Sequence, residues 1–511
     1  MSETLAAPPR SGVPDRQAPH AIVIGSGFGG LAAAIHLGAR GYRVTVLERL
    51  GEAGGRARVH RQDGFTFDAG PTIITAPFLL EQLWTLCGRR LADDVELRAV
   101  DPFYRFVFDD RTTFDYNGDA DAMRRAVAVL SPADAAGYDR FMAMSERIFR
   151  VGFEQLGHVA FSRWTDMARV VPQMMKLRSY YSVHGLVSRY VRDDKLRLML
   201  SFHPLLVGGN PFSASSIYAL ICFLERRWGV HFVMGGTGAL VAGMVGLIRA
   251  QGNSLRTHAT VRRIAVTERR ATGVVLESGE TLHADLVVSN ADTTYTYRHL
   301  LAGVKRRRWT DRRLNRARQS MSLFVWYFGT NRVYDHVAHH TILLGPRYKG
   351  LIDDIFRRKV LADDCSLYLH RPTATDPSLA PPGHDAFYVL SPVPHLGSGT
   401  DWRTAAEPYR RLVEKRLEDY LLPGLREAIV TSRVTTPQTF ADDLLAEQGA
   451  AFGLEPLLSQ SAWFRPHNES EDIENLYLVG AGTHPGAGVP GVLSTARVLD
   501  GILSRVAHEA S

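Results

Sequence analysis

The segment AIVIGSGFGG, residues 21–30, restricts the fold of this chain more than any other feature. Ala21–Ile24 is a short apolar run of the kind a buried parallel strand needs. Gly25, Gly27 and Gly30 then occupy the three positions of a G-x-G-x-x-G turn, with Phe28 and Gly29 between them. The first glycine makes the tight turn, the second lets a pyrophosphate reach the backbone, and the third lets a helix close on the strand. Leu31 to Ala39 reads as an Ala-rich helix whose N-terminus faces the phosphates. Arg43–Leu47 is the next strand, and it ends at Glu48, where a ribose hydroxyl pair would be held. A carboxylate there disfavours a 2′-phosphate. Strand, turn, helix, strand and acid in register predict a dinucleotide site.

Two further stretches extend that site. Gly54-Gly55-Arg56 follows Glu48 by a short loop. Its glycines permit an unusual backbone path, and its guanidinium suits a second phosphate or a flavin edge. GFTFDAGPT, residues 64–72, reads as a strand and a rigid turn, which sets Gly70, Pro71 and Thr72 against a flat ring. At the other end, NLYLVGAGTHPGAGVPGVL begins at Asn475: a buried strand, repeated glycines, then a helix from about Val492. Its helix N-terminus would aim at an anionic or electron-rich group. Gly480, Gly482, Gly488, Val489 and Pro490 therefore join the candidate cofactor set. The two ends of the chain are expected to form one domain with the rest inserted.

At 511 residues and 45% hydrophobic content the chain is too long for one ordinary domain. The net charge of +7 comes from 60 basic and 53 acidic residues; six of the basic ones are Lys and 54 are Arg. This describes a mildly basic surface, or a positive face toward anionic lipid. No nucleic-acid recognition motif is present. Cys87, Cys222 and Cys365 are far apart and lack a CxxC, which excludes a disulfide scaffold and a thiolate-rich metal site and fits a reducing cytoplasm. His370, Asp376, His384 and His395 lie on separate segments with Pro breaks. HVAHH, from His336 to His340, lacks the Glu of H-E-x-x-H, so no metal is expected. There is no signal-peptide pattern and no transmembrane span.

In the middle, Arg105–Phe108 and Thr113–Tyr116 read as a hairpin, and Ala122 to Val151 as helical with Pro132 in an early turn. Phe161 to Val191 is basic, aromatic and Met-rich; it suits a headgroup–acyl boundary or an ordinary packed helix pair. Gly235-Gly236-Thr237-Gly238 opens another helix, and residues 254–290, 320–330 and 365–395 carry strand patterns. Asp166 and Arg169, i and i+3 on one helix, read from spacing as a surface pair.

Together with DPFYR, LLVGGNPF, SIYALI, VMGGTGALV, VSNAD, LYLH, SPVPHLG and SAWFRPHN, these stretches make the chain from Ala21 onward resemble the bacterial-type phytoene desaturases of the flavin amine oxidase superfamily. The resemblance implies an α/β fold: a Rossmann-like FAD-binding domain built from discontinuous segments, an inserted mixed-sheet substrate domain, and a helical membrane-associating region. The expected boundaries are a leader at 1–19, FAD-binding parts at 20–100, 231–300 and 471–511, substrate parts at 101–150 and 301–470, and the helical region at 151–230. It also implies FAD as cofactor, a C40 carotene substrate, and successive dehydrogenation of 15-cis-phytoene to lycopene or neurosporene. A peripheral position on the cytoplasmic side of the membrane, a homo-oligomer there, and a quinone or oxygen as external acceptor follow from the same resemblance. So do a backbone contact from Val261 to the adenine side and an active-site role for Asp166 and Arg169. A desaturase of a later or modified carotene, an amine oxidase, and a non-enzymatic FAD-containing carotenoid binder are the alternatives.

Overall fold

The structure is a computed structural model that describes residues 18–509; residues 1–17 of the expected leader lie outside the described residues. Five short strands form one parallel sheet, in the spatial order Leu476–Leu478, Leu286–Ser289, His20–Ile24, Arg43–Leu47 and Ser254–Arg256. Only two of these are neighbours in sequence. The central strand is buried throughout, as a parallel sheet covered on both faces requires. The helix Phe28–Ala39 covers one face, buried from Phe28 to Leu37, and packs against helices Thr237–Ala250 and Val489–Glu509. The other face carries a three-stranded antiparallel sheet, Val261–Thr267, Arg270–Leu276 and Thr281–His283.

A second, seven-stranded mixed sheet has the order Ile429–Thr435, Ser322–Thr330, Asp385–Val393, Leu367–His370, His340–Leu343, Tyr104–Val107 and Thr113–Tyr116. Its pairs are antiparallel except His340–Leu343 with Tyr104–Val107. The expected hairpin thus forms, one residue earlier in its first strand, and becomes the edge of this sheet. Alternation along Ser322–Thr330 divides the two faces. Phe324, Trp326 and Phe328 point toward the long helix Trp402–Tyr420. Leu323, Val325 and Tyr327 point toward the helices of residues 135–228. The helical stretch expected from Ala122 to Val151 is two helices, Ala120–Leu130 and Ala135–Phe149, joined at Pro132–Asp134. Buried Asp134 fixes that joint by accepting from the backbone N–H groups of Arg192 and Asp193, both at 2.8 Å. The architecture is α/β with mixed sheets assembled from discontinuous segments, and no helix among the described residues is long and apolar enough to cross a membrane.

The Gly235–Gly238 turn is occupied from within the protein. Asp68, at the end of strand Phe65–Asp68, accepts from Thr237 N–H at 2.8 Å and caps the helix Thr237–Ala250. A side chain at Gly236 would meet the Asp68 carboxylate at 2.5 Å, so the turn is shaped around that acid.

Two consequences are measurable. A Cβ at Gly30 would lie 2.0 Å from the Gly25 carbonyl oxygen, a backbone atom that cannot yield, whereas one at Gly246 meets nothing within 4 Å. Gly30→Ala is therefore expected to lower stability by about 3 kcal/mol or prevent folding. Gly246→Ala, inside a helix, should be neutral or stabilise by roughly 0.5–1 kcal/mol in thermal denaturation. The second concerns pH. Burial pushes the Asp68 carboxyl up from 3.8 to about 6, against the pull of its hydrogen bonds from Thr237. The folded chain then binds this proton more tightly than the unfolded chain, so the contribution is complete below about pH 4 and is lost as pH rises through 6. Asp68→Asn cannot ionise. Its melting temperature relative to the parent should rise between pH 4 and pH 7, by the equivalent of roughly 2–3 kcal/mol. A difference that stays flat across that range would contradict the assignment.

Candidate active site

One cavity of about 700 Å³ runs from the C-terminal edge of the parallel sheet to the inner face of the seven-stranded sheet. Gly25, Gly27, Phe28 and Gly29 line its first end. Gly25 turns with φ +89° and donates its N–H to Leu47 at 2.8 Å, which locks the loop onto the neighbouring strand. A Cβ at Gly29 would meet Asn290 at 2.6 Å and Gly480 at 2.9 Å, so three distant segments converge on this glycine. Gly30 does not line the cavity; its place is the close helix–strand contact described above. Glu48 is buried at the rim and accepts from the N–H groups of Ser26 and Leu50, both at 2.9 Å, and from the Ser26 hydroxyl. An ionised carboxylate has about four acceptor positions, so capacity for a hydroxyl donor remains.

The second glycine pair lies on the first. Gly54 (φ +120°) donates to the Ser26 carbonyl at 3.1 Å, and Gly55 (φ +56°) approaches Gly27 closely. This places Arg56 in the cavity wall, its Nε buried and without a hydrogen-bond partner. Burial pulls the Arg56 guanidinium below its ordinary value, opposed by the carboxylate of Asp292. Asp292 itself caps the turn Thr293–Tyr295 through the N–H groups of Thr294 and Tyr295, at 2.9 and 3.1 Å.

Gly70, Pro71 and Thr72 line the middle of the cavity, where Thr72 Oγ1 lies 2.6 Å from the Tyr388 hydroxyl and 3.3 Å from that of Tyr368. Val261, Gly480, Gly488, Val489 and Pro490 line the same cavity. Gly482 is turned away. It packs on Thr293, and its carbonyl accepts from Arg465 Nε at 3.2 Å. Arg465 is 1% exposed; its Nη2 also holds the carbonyls of Leu454 and Ala481, and its Nη1 has no partner. The unpartnered Arg56 Nε in the cavity wall, a helix N-terminus free of acidic residues, and a carboxylate with spare acceptor capacity fit a dinucleotide carrying a diphosphate.

The second end of the cavity is hydrocarbon. Met167, Val170, Met174, Leu206, Ile217, Leu323, Val325, Ile342, Leu390 and Phe452 line it. Helix Trp164–Lys176 closes it without burying any residue completely. Asp166 and Arg169 are on this helix but not in the cavity wall. Asp166 accepts from the Arg163 N–H at 3.2 Å at the helix start, and its carboxylate lies 3.9 Å from the largely exposed Arg169 guanidinium. The structure brings sixteen of the eighteen expected cofactor residues to one cavity wall and does not bring this pair there.

Sequence reading missed the partners that buried space selects. Asn290, Asp292 and Arg465 sit inside stretches that carried the resemblance, but no spacing rule gives them roles. Glu225 is another: it lines the cavity, accepts from the Tyr104 hydroxyl at 2.7 Å, and pairs with His203 Nε2 at 3.0 Å. Burial would lower the His203 pKa, but the facing Cys222 sulfur and Glu225 carboxylate outweigh it and hold it up at about 10. Cys222 and Glu225 are one helical turn apart, a detectable signal; the approach of His203 is not.

Residues 28–498 match the family described as flavin containing amine oxidoreductase. A neurosporene-forming phytoene desaturase of Cereibacter sphaeroides is 50% identical over 491 residues, covering 95% of each chain. A lycopene-forming phytoene desaturase of Pseudescherichia vulneris is 51% identical, covering 93% of this chain and 97% of that one. Among solved structures, an oxidoreductase from Methanosarcina mazei superposes with a TM-score of 0.64 at 17% identity, covering 94% of this chain and 99% of that one. At that identity the likeness is one of fold. The chain belongs to the flavin containing amine oxidoreductase family, in its phytoene desaturase branch.

Proposed function

We propose that this protein is an FAD-dependent desaturase that takes phytoene through successive dehydrogenations to neurosporene or lycopene in carotenoid biosynthesis. The observation that carries the reading is the continuity of a single cavity whose first end is built for a dinucleotide and whose second end is hydrocarbon. A C40 polyene offers no carboxylate or amine to clamp, and the second end is a channel of Met, Leu, Val, Ile and Phe side chains accordingly. FAD, when bound, supplies the acceptor for the hydride removed from a substrate carbon.

The chain's own residues do the rest by position. The Gly25–Gly30 turn and Arg56 would hold the diphosphate, and Glu48 the ribose. Val261 would meet the adenine side. Gly70–Thr72 and Gly488–Pro490 line the same cavity and would flank the reactive ring. The apolar wall beyond excludes water from a carbon that is losing hydride and holds the neighbouring C–H bond in line. The proton lost from that neighbouring carbon, together with the hydride, would go to the two-electron reduction of the bound cofactor. We read Asp166 as stabilising its helix start, where a carboxylate is favourable, with Arg169 as its surface partner.

The mouth supports a membrane reading. Trp164, Val171, Met175 and Tyr180 are exposed, and Val171, Met175 and Tyr180 also line the cavity. Arg163, Arg169, Lys176 and Arg178 are exposed around them. A basic-rimmed apolar helix of this kind lies in a headgroup layer and opens to the acyl region where carotenes dissolve. We place it on the cytoplasmic face, as a homo-oligomer, with a membrane quinone or oxygen reoxidising the cofactor.

Phytoene in liposomes, added without oxygen, should bleach the flavin absorbance while conjugated polyene forms in proportion. A flavin that stays oxidised after proven delivery would support the carotenoid-binder alternative instead. Arg56→Met should weaken flavin retention roughly 10- to 100-fold, the loss expected for a charge-assisted contact. Met175→Asp should leave flavin content unchanged but reduce both co-sedimentation with anionic vesicles and turnover of vesicle-borne phytoene.

A further inference from the structure

Three histidines meet behind the cavity wall. His340 and His370 stand directly opposite each other on neighbouring antiparallel strands. His339 precedes its strand at a bend, so strand alternation does not send it to the other face. The ring centroids lie 4.4 Å (His339–His340), 4.9 Å (His339–His370) and 5.3 Å (His340–His370) apart. His339 is 5% exposed and the other two are fully buried.

The nitrogens are arranged in two layers. Inside, His339 Nε2 and His370 Nε2 face each other at 3.1 Å, and His340 Nε2 is buried with no partner. One nitrogen from each ring lies within 4.8 Å of the other two. Outside, His339 Nδ1 is 2.6 Å from Thr375 Oγ1 and His340 Nδ1 is 2.8 Å from the Tyr368 hydroxyl. His370 Nδ1 has no partner. Oxygen partners on the outer nitrogens orient ligating imidazoles and raise their basicity.

We propose that His339, His340 and His370 bind one late first-row transition-metal dication of the zinc class through their Nε2 atoms. Three imidazoles suit such an ion and not magnesium or calcium, which require oxygen. With metal–nitrogen bonds of about 2.0–2.1 Å, tetrahedral ligands stand about 3.3–3.4 Å apart, close to the observed inner contact. The nearest cation, Arg371, is neutralised by Asp385 at 2.9 Å, with Asp335 at 3.3 Å. His339 also lines a second cavity with Arg371, Thr373 and Thr375, which gives the ion a route in. In the free protein, a hydrogen bond between the two facing Nε2 atoms would require one of them to carry a proton. On binding, that proton moves to the Nδ1 of the same ring, so no net proton is released. The bound ion would clamp strand His340–Leu343 to Leu367–His370. Through Tyr368, it would stiffen the wall that carries Thr72.

The test uses tag-free, full-length, flavin-loaded protein, dialysed against zinc and then against a weak chelator. Elemental analysis should find about one zinc per chain, as a tight three-imidazole site predicts. His339→Gln and His370→Gln should each lose it, and His384→Gln, beside the second cavity but outside the cluster, should keep it. A parent that returns without zinc, or glutamine variants that retain it, would overturn the proposal. Should the variants not fold, X-ray absorption of the zinc-loaded parent decides. Imidazole scattering at about 2.0–2.1 Å is expected, and a shell of oxygen or sulfur rejects the site.

Discussion

Where Gly29 approaches Gly480 and Asn290, three stretches of chain that are remote in sequence meet with no room for a single methyl group. The same helix start is pressed against the Gly25 carbonyl through Gly30. This close backbone approach is the constraint on which the rest depends. It sets the helix N-terminus beside the first turn, lays the Gly54–Gly55 turn over it, and thereby points the Arg56 guanidinium into the cavity. Any side chain there would push the N-terminal, middle and C-terminal segments apart, and both the sheet and its ligand wall would go with them.

Such contacts are the part of a structure that sequence declares most openly. Gly25, Gly27 and Gly30 sit in a fixed spacing because backbone geometry is local. The strand ending at Glu48 and the glycines after Leu478 are legible for the same reason. Pairings fixed only by tertiary approach are hidden. Asp68 is 169 residues from the helix it caps, and the Gly235–Gly238 turn looks like an anion nest until that carboxylate is seen inside it. His340 and His370 are 30 residues apart, and strand register alone makes them neighbours. Asp166 and Arg169 are local again: helical spacing reads them as a surface pair on one face, and they lie outside the cavity wall.

The cavity separates two kinds of electrostatics. Charge is concentrated at the dinucleotide end, where glycine turns expose backbone donors. Toward the hydrocarbon end, the described charged groups lie in neutralising sets. His203 and Glu225 are an example: neither side chain is more than 1% exposed, and the carboxylate is shared with a tyrosine hydroxyl. Ion pairs of this kind add little stability over well-packed hydrocarbon, but removing one member leaves a stranded charge. Specific geometry is what they retain.

The sheet order has a consequence for biogenesis. Strand His20–Ile24 is made early, yet its neighbour Leu286–Ser289 arrives more than 260 residues later and the edge strand Leu476–Leu478 last of all. A chain emerging from the ribosome therefore carries the strand His20–Ile24 with one apolar edge unpaired until the segment that includes Leu286–Ser289 has been made. Non-local pairing of this kind is slow and exposes aggregation-prone surface. Cofactor capture must consequently wait for the segments that carry Asn290 and Gly480, since both line the same cavity as the first glycine turn.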